Sequence, residues 1–202
     1  APLPTSVRRY YEPGKINVVE FADFECPHCR RLHSYLGDII RDYGARVHFV
    51  RLNAPMDVHP HARDAARAAI CAEAQGQGQV MADHLFQAEA LTPKANMEKA
   101  KELGLDVKLF DACLRDPKTD ARIVLEAKIL YDSEFLGLPT TYVGAQRFVG
   151  AQPPEIFRDA FEEAARGKTP PRVPGTVYWT VIALAATMVV AVGRERRRAE
   201  SV

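Results

Sequence analysis

Cys26-Pro27-His28-Cys29 sets two thiols three residues apart, after an apolar run over Ile16–Phe24 and at the head of a helix-patterned stretch over residues 30–40. Two thiols at that spacing can close a small disulfide or open it. Pro27 suits the first helical position, where a missing N–H costs nothing. Cys26 then takes the N-cap, facing unpaired amides and the positive end of the helix dipole. A thiolate is stabilised there, so Cys26 becomes the attacking sulfur. Cys29, one turn on and on the same face, can resolve a mixed disulfide. His28 adds a ring able to donate to the Cys26 sulfur. The thiolate belongs to the reduced form, so stabilising it makes the pair a stronger oxidant.

A CxxC is also half of a zinc site, and a closed site needs four ligands. The other cysteines, Cys71 and Cys113, stand alone, and His59-Pro60-His61 reads as a helix entry. Redox chemistry without metal or cofactor is therefore the expectation. A purely structural bridge across so short a loop removes little chain entropy.

The elements that must hold this pair can be read along the chain. Residues 1–14 form an irregular lead-in, with a short strand near Val7–Tyr11. Ile16–Phe24 reads as a strand, Pro27–Tyr43 as a helix ended by Gly44, and Arg46–Leu52 as an alternating strand. Strand, helix and strand at these lengths imply a right-handed βαβ unit over 15–57. Residues 58–136 are almost wholly helical in pattern: 61–75, 79–89, a segment capped by Thr92-Pro93 that runs to Leu103, 106–115 and 117–135. The last carries Ile123, Ala127, Leu130 and Tyr131 on one stripe. Within 137–168, Thr140–Val143 and Gln146–Gly150 read as an antiparallel pair. A closing helix over 155–166 turns Ile156, Phe157, Ala160, Phe161 and Ala164 inward. The order βαβ, helical insertion, ββα is an α/β thioredoxin fold with an inserted helical subdomain.

Composition narrows the setting. A chain of 202 residues allows one domain plus extras, and a net charge of +1 offers no basic excess for nucleic acid. The chain begins Ala1-Pro2-Leu3-Pro4 without an initiator Met, as after signal cleavage or in a fragment of a longer protein. Four cysteines suit an oxidising compartment. Thr169–Gly175 is a Pro-rich, stiff linker. Thr176–Gly193 is uncharged and apolar over 18 residues, about 27 Å as a helix, and reads as a C-terminal transmembrane helix. Tyr178 and Trp179 suit an interfacial belt. Arg194, Arg196, Arg197 and Arg198 in the tail, 194–202, would face the cytoplasm and leave the globular part outside. The alternative is a buried helix or loosely packed tail.

The segments Phe21-Ala22-Asp23-Phe24-Glu25-Cys26-Pro27-His28-Cys29 and Gly137-Leu138-Pro139-Thr140-Thr141-Tyr142-Val143 resemble the paired signatures of the DsbA-like thiol:disulfide oxidoreductases of bacterial envelopes. The resemblance covers about residues 10–166. It implies that Cys26 is the exposed nucleophile, Cys29 the buried resolving cysteine, and Pro27 and His28 the dipeptide that sets redox poise. Pro139 matches the family's cis-proline, which leaves the Leu138 backbone free to pair with an extended substrate. Leu138 matches the variable residue before it. Glu20 matches a buried acidic residue that can relay the Cys29 proton; its plain alternative is a strand-edge charge in solvent. Asp23 and Glu25 read as solvated flank residues whose charge opposes the thiolate, and His33 as a surface or packing residue. Cys71 and Cys113 match positions that form a second, non-catalytic disulfide in relatives; otherwise they are buried free thiols acting as small apolar residues.

Taken with the apolar C-terminal segment, the resemblance points to a membrane-tethered, periplasmic enzyme. It would give its Cys26–Cys29 disulfide to client proteins with cysteines. A quinone-linked membrane partner, DsbB-like or vitamin K epoxide reductase-like, would reoxidise it. Two other readings stay open: a reductase or isomerase of the same fold, and a non-enzymatic metal- or client-binding module.

Overall fold

In the computed structural model, residues 3–167 are described. They make up nearly all of the first of two units, Ala1–Arg166; the second is Gly167–Val202. The expected linker 169–175, membrane span 176–193 and basic tail 194–202 lie outside the described residues. Among the described residues no helix is long and apolar enough to cross a membrane.

A four-stranded sheet positions everything else. Its strands are β1 (Ile16–Ala22), β2 (Val47–Asn53), β3 (Thr140–Val143) and β4 (Gln146–Val149), in the spatial order β2-β1-β3-β4. β2 runs parallel to β1, with Ile16 opposite Val47 and Ala22 opposite Asn53, whereas β3 and β4 run antiparallel. Every residue of β1 is buried, as expected of a central strand covered on both faces. On one face Val18 and Val143 pack with Leu32, Leu36 and Ile39 of α2 (Pro27–Tyr43) and with Phe157 and Phe161 of α8 (Pro154–Ala165). On the other, Val19, Phe21 and Tyr142 pack with Val7, Ile129 and Leu130.

Between the two halves of the sheet run α3 (Ala62–Glu73), α4 (Gly78–Gln87), α5 (Pro93–Glu102), α6 (Val107–Arg115) and α7 (Pro117–Tyr131). The alanines of α3 form the centre of this insertion: Ala65, Ala68 and Ala72 pack with Met81, Leu85 and Phe110. Small side chains there let several helices approach one axis closely. Gly78 has the same cause, because a Cβ would come within 2.8 Å of Glu73 Cβ. Thr92, Asp106 and Asp116 cap their helices by accepting backbone N–H groups. Cys71 and Cys113 are bridged, with Cα atoms 5.7 Å apart, which ties α3 to α6.

Four sequence expectations shift. The lead-in forms a short helix, α1 (Thr5–Arg8), in place of a strand, because the Pro4 carbonyl collects the N–H groups of Val7 and Arg8. β1 ends at Ala22, where its partner β2 also ends, and Asp23 and Phe24 turn the corner into α2. α7 stops at Tyr131; its buried face is Thr119, Ile123, Glu126 and Leu130, and Tyr131, one position round the helix, is exposed. Ile156 is 41% exposed, while Phe157, Ala160 and Phe161 carry the buried face of α8.

The bridge closes a loop with a sequence separation of 42. In the chain-entropy model, Cys71→Ala with Cys113→Ala is expected to lower unfolding free energy by about 3–4 kcal/mol. Urea denaturation under oxidising conditions checks this; an unchanged midpoint would refute it.

Candidate active site

Cys26 is the N-cap of α2 with Pro27 at the first helical position, as the sequence predicts. Its backbone is extended, φ −67° and ψ 123°, so the chain turns from strand corner to helix at this residue. No capping hydrogen bond closes at the sulfur, but the amides of His28 and Cys29 lie toward it and favour the thiolate. The largest influence is the hydrogen bond from the Cys29 thiol; burial and the charge of Asp23 oppose it, and the Cys26 pKa comes down to about 6. Cys29 moves the other way. Its hydrogen bond to Cys26 and then its burial push it far up. One sulfur is therefore ionised at neutral pH and its partner holds the proton.

The expected open exposure of Cys26 is not what the structure has. Cys26 is 7% exposed and Cys29 is 0% exposed. The helical insertion is the cause: both sulfurs belong to the same apolar cluster as Ala65, Ala69, Met81 and Phe86. Pro27 and His28 are exposed beside them.

The Leu138–Pro139 peptide is cis, as the resemblance implies. Leu138 packs against the cluster that contains both cysteines, and the Pro139 carbonyl accepts the Gly150 N–H at 2.7 Å. Leu138 thus joins the cluster that holds the cysteine pair from the second half of the fold.

Glu20 is buried, at 0% exposure, which removes the solvent-edge alternative. The sequence reading missed its partner: Arg51 Nε donates to Glu20 Oε2 at 2.8 Å from the adjacent strand, at the register position opposite. A buried carboxylate needs such a partner. Arg51 also lies over the rings of Phe49 and Phe86, at 5.0 Å from each centroid. Glu20 is among the charges that act on Cys29, and its Oε1 has no protein hydrogen-bond partner among the described residues. Beyond Arg51, a cavity of about 300 Å³ is lined by Phe24, Phe49, Asn53, Ala69 and Arg122 among others; neither cysteine of the pair lines it.

Asp23 corrects a second expectation. It is 1% exposed. Its Oδ1 accepts the Glu25 N–H at 2.7 Å; its Oδ2 accepts the Met56 N–H at 2.8 Å and lies 2.7 Å from His59 Nδ1. Its own N–H faces Cys29 Sγ at 3.5 Å and its carbonyl accepts the Cys26 N–H. Glu25 accepts the His61 N–H at 2.8 Å. His59 and His61 do lead into α3, but they also fasten the insertion to the strand–helix corner. The sequence expectation of a solvated Asp23 fails because its partners, the Met56 amide and the His59 ring, come from 33 and 36 positions further on. His33 is a packing residue, stacked on Phe86 with ring centroids 4.4 Å apart. Among the described residues no cluster of ligands could hold a metal.

Known proteins place this arrangement. The sequence profile of the family described as Thioredoxin matches residues 12–163. The chain belongs to the thioredoxin family, and its architecture is that of the DsbA-like dithiol–disulfide oxidoreductases. A thioredoxin-like oxidoreductase from Silicibacter pomeroyi superposes with a TM-score of 0.70 at 24% identity, over 80% of this chain and 97% of that one. The thiol-disulfide exchange protein alpha-DsbA2 from Wolbachia pipientis gives 0.68 at 20% identity, over 76% of this chain and 83% of that one. Among curated relatives, the Na(+)/H(+) antiporter NhaA 3 of Salinispora tropica is 35% identical over 137 residues, which is 67% of this chain and 21% of the antiporter. The chain spans only 21% to 26% of the length of three such relatives.

Two outcomes are expected. The Cys26 pKa lies below that of an unfolded thiol, about 8.5. Its contribution to the stability of the reduced protein is therefore complete above about pH 8.5 and is lost as pH falls through about 6. Cys29 has the opposite sign: its contribution is present below about 8.5 and is lost at higher pH. Reduced-minus-oxidised stability should rise between pH 6 and 8.5 in denaturant titrations; a flat profile would refute the asymmetry. Separately, Arg51→Met leaves Glu20 buried and unpaired and should cost about 3–5 kcal/mol, whereas Glu20→Gln with Arg51→Met should recover much of it. Equal losses in both would show that the ion pair is not what matters.

Proposed function

We propose that this protein is an extracytoplasmic disulfide donor. The carrying observation is the opposed ionisation of one buried pair: Cys26 held near pKa 6 and Cys29 held protonated. A thiolate stabilised in the reduced form lowers the energy of that form, so the oxidised form gives up its disulfide readily.

The exchange balances as follows. A client thiolate attacks Cys26 Sγ of the oxidised pair. A client–Cys26 bond forms, the Cys26–Cys29 bond breaks, and Cys29 leaves as a thiolate. Cys29 takes up a proton, with Glu20 as relay. A second client thiolate then attacks the client sulfur of the mixed disulfide, and Cys26 departs as the low-pKa thiolate, a good leaving group. The client leaves oxidised and the enzyme holds two electrons. Leu138, just before the cis-proline and beside the pair, offers its backbone to an extended client segment. His28, exposed next to Cys26, and Pro27 tune the poise. Cysteine-containing proteins are the client class, and no resident cofactor is required for the exchange.

Reoxidation needs an electron acceptor, and a quinone-linked membrane reductase of DsbB-like or vitamin K epoxide reductase-like type fits. The apolar segment 176–193 followed by four arginines supports tethering in the inner membrane with the domain on the periplasmic side. The curated relatives also favour a membrane setting, since an ion antiporter works across one. Tethering would raise the effective concentration of a membrane partner.

The test is equilibration of the full 202-residue chain with glutathione, reading the state of Cys26 and Cys29 by alkylation and mass spectrometry. A potential of about −120 mV, the value for DsbA, is expected. A potential of about −270 mV, the value for thioredoxin, would reverse the direction of the reaction.

A further inference from the structure

The strand–helix corner contains an electrostatic conflict. Asp23 is buried two residues from Glu25 and three from Cys26, and its charge works against the Cys26 thiolate. The carboxylate has a structural role there, since its oxygens collect two backbone N–H groups, one on each side of the corner. Those amides solvate the charge but do not cancel it. The third group on Asp23 is the ring of His59, at 2.7 Å, from the loop that enters the insertion. His59 Nδ1 shares Oδ2 with the Met56 amide, which fixes the ring against the carboxylate.

We propose that His59 is a positioning residue for the Cys26 sulfur: carrying a proton, it neutralises the buried Asp23 carboxylate and so lets the corner hold a thiolate beside it. This rests on Cys26 being the stabilised nucleophile of the proposed exchange. The groups facing the two sites are few. Cys26 meets Cys29 and Asp23, with Glu25 and His28 adjoining it in sequence; His59 meets Asp23, Cys26 and Glu25. Glu20 and Arg51 form their own pair and act on Cys29 and His33. Burial alone would lower the His59 pKa, but the hydrogen bond to Asp23 and the charges of Asp23, Cys26 and Glu25 outweigh it and raise the value. The coupling is reciprocal. The thiolate favours the proton on His59, and that proton favours the thiolate.

The insertion thereby has a chemical role as well as a covering one. Its first loop supplies the cation that touches Asp23, whereas Arg30 of α2, also at this corner, donates to the Phe24 carbonyl at 2.9 Å. Opening the pair, which releases Cys26 as a thiolate, should tighten the His59–Asp23 contact.

The test is His59→Asn in the full chain, kept in mild detergent. An asparagine amide can still donate to Asp23 but carries no charge and does not titrate. Thiolate absorbance near 240 nm against pH reads Cys26. His59→Asn is expected to raise the Cys26 midpoint by about half a pH unit or more, equivalent to about a threefold shift in the glutathione equilibrium toward the oxidised enzyme. Adding Asp23→Asn should bring the midpoint back down. NMR of the unmodified protein gives a second reading without any variant: the His59 ring should titrate at higher pH in the reduced than in the oxidised form. A low wild-type midpoint that His59→Asn leaves in place, with the ring titrating alike in both forms, would overturn this inference alone. A wild-type midpoint near the ordinary thiol value would overturn the proposed function and this inference with it.

Discussion

A sulfur that must ionise sits at 7% exposure, and most of the domain follows from making that tolerable. Water solvates a thiolate placed there only in part, so the protein supplies the rest. The start of α2 supplies amides, Cys29 supplies a hydrogen bond, and Pro27 begins the helix where no N–H is wasted. That helix start can be held only if β1 ends at the right place. The parallel pairing of β1 with β2 stops both strands together, at Ala22 and Asn53, and the next residues of each chain segment meet across Asp23. The corner is therefore fixed by hydrogen bonds rather than by the length of a loop.

Two buried carboxylates flank the cysteines and do different work. Glu20 acts on Cys29 through its charge and is matched by Arg51 across the sheet. Asp23 pins the corner in front and is matched by His59. Each negative charge is answered by a cation from a different element, one from the edge strand and one from the insertion loop. An arginine stays charged at any working pH, while a histidine does not. The pair that acts on the resolving thiol is thus constant, and the pair beside the nucleophile responds to pH and to the redox state of Cys26.

The insertion encloses this arrangement. Its alanine-rich α3 brings Met81, Leu85 and Phe86 of α4 over the cysteines, and the Cys71–Cys113 bridge holds α3 to α6. The loop that leads into these helices brings His59 and His61 to the corner. Cover and electrostatic support are built from one segment of chain. Leu138, before the cis-proline, packs on the same cluster from the second half of the fold.

Local chemistry made much of this legible. CxxC spacing, a proline at the first turn, a capping glycine at 44 and the periodicities of β1 and α2 depend on neighbours in sequence, and the helix and strand order followed. The pairing of Cys71 with Cys113 and the cis-proline at 139 came from likeness to a family, and the structure has the bridge and the cis peptide. Arg51 opposite Glu20, the burial of Asp23 and the turn of His59 onto it could not be read in the same way. Each joins residues more than 30 positions apart, through strand register or through the path of a loop. The outward turn of Tyr131 and Ile156 has the same origin, since a helix face is chosen by what packs against it. Sequence by itself determined which groups could do the chemistry and which elements would carry them. Tertiary structure alone decided which charges face each other, because burial and register are properties of the assembled chain.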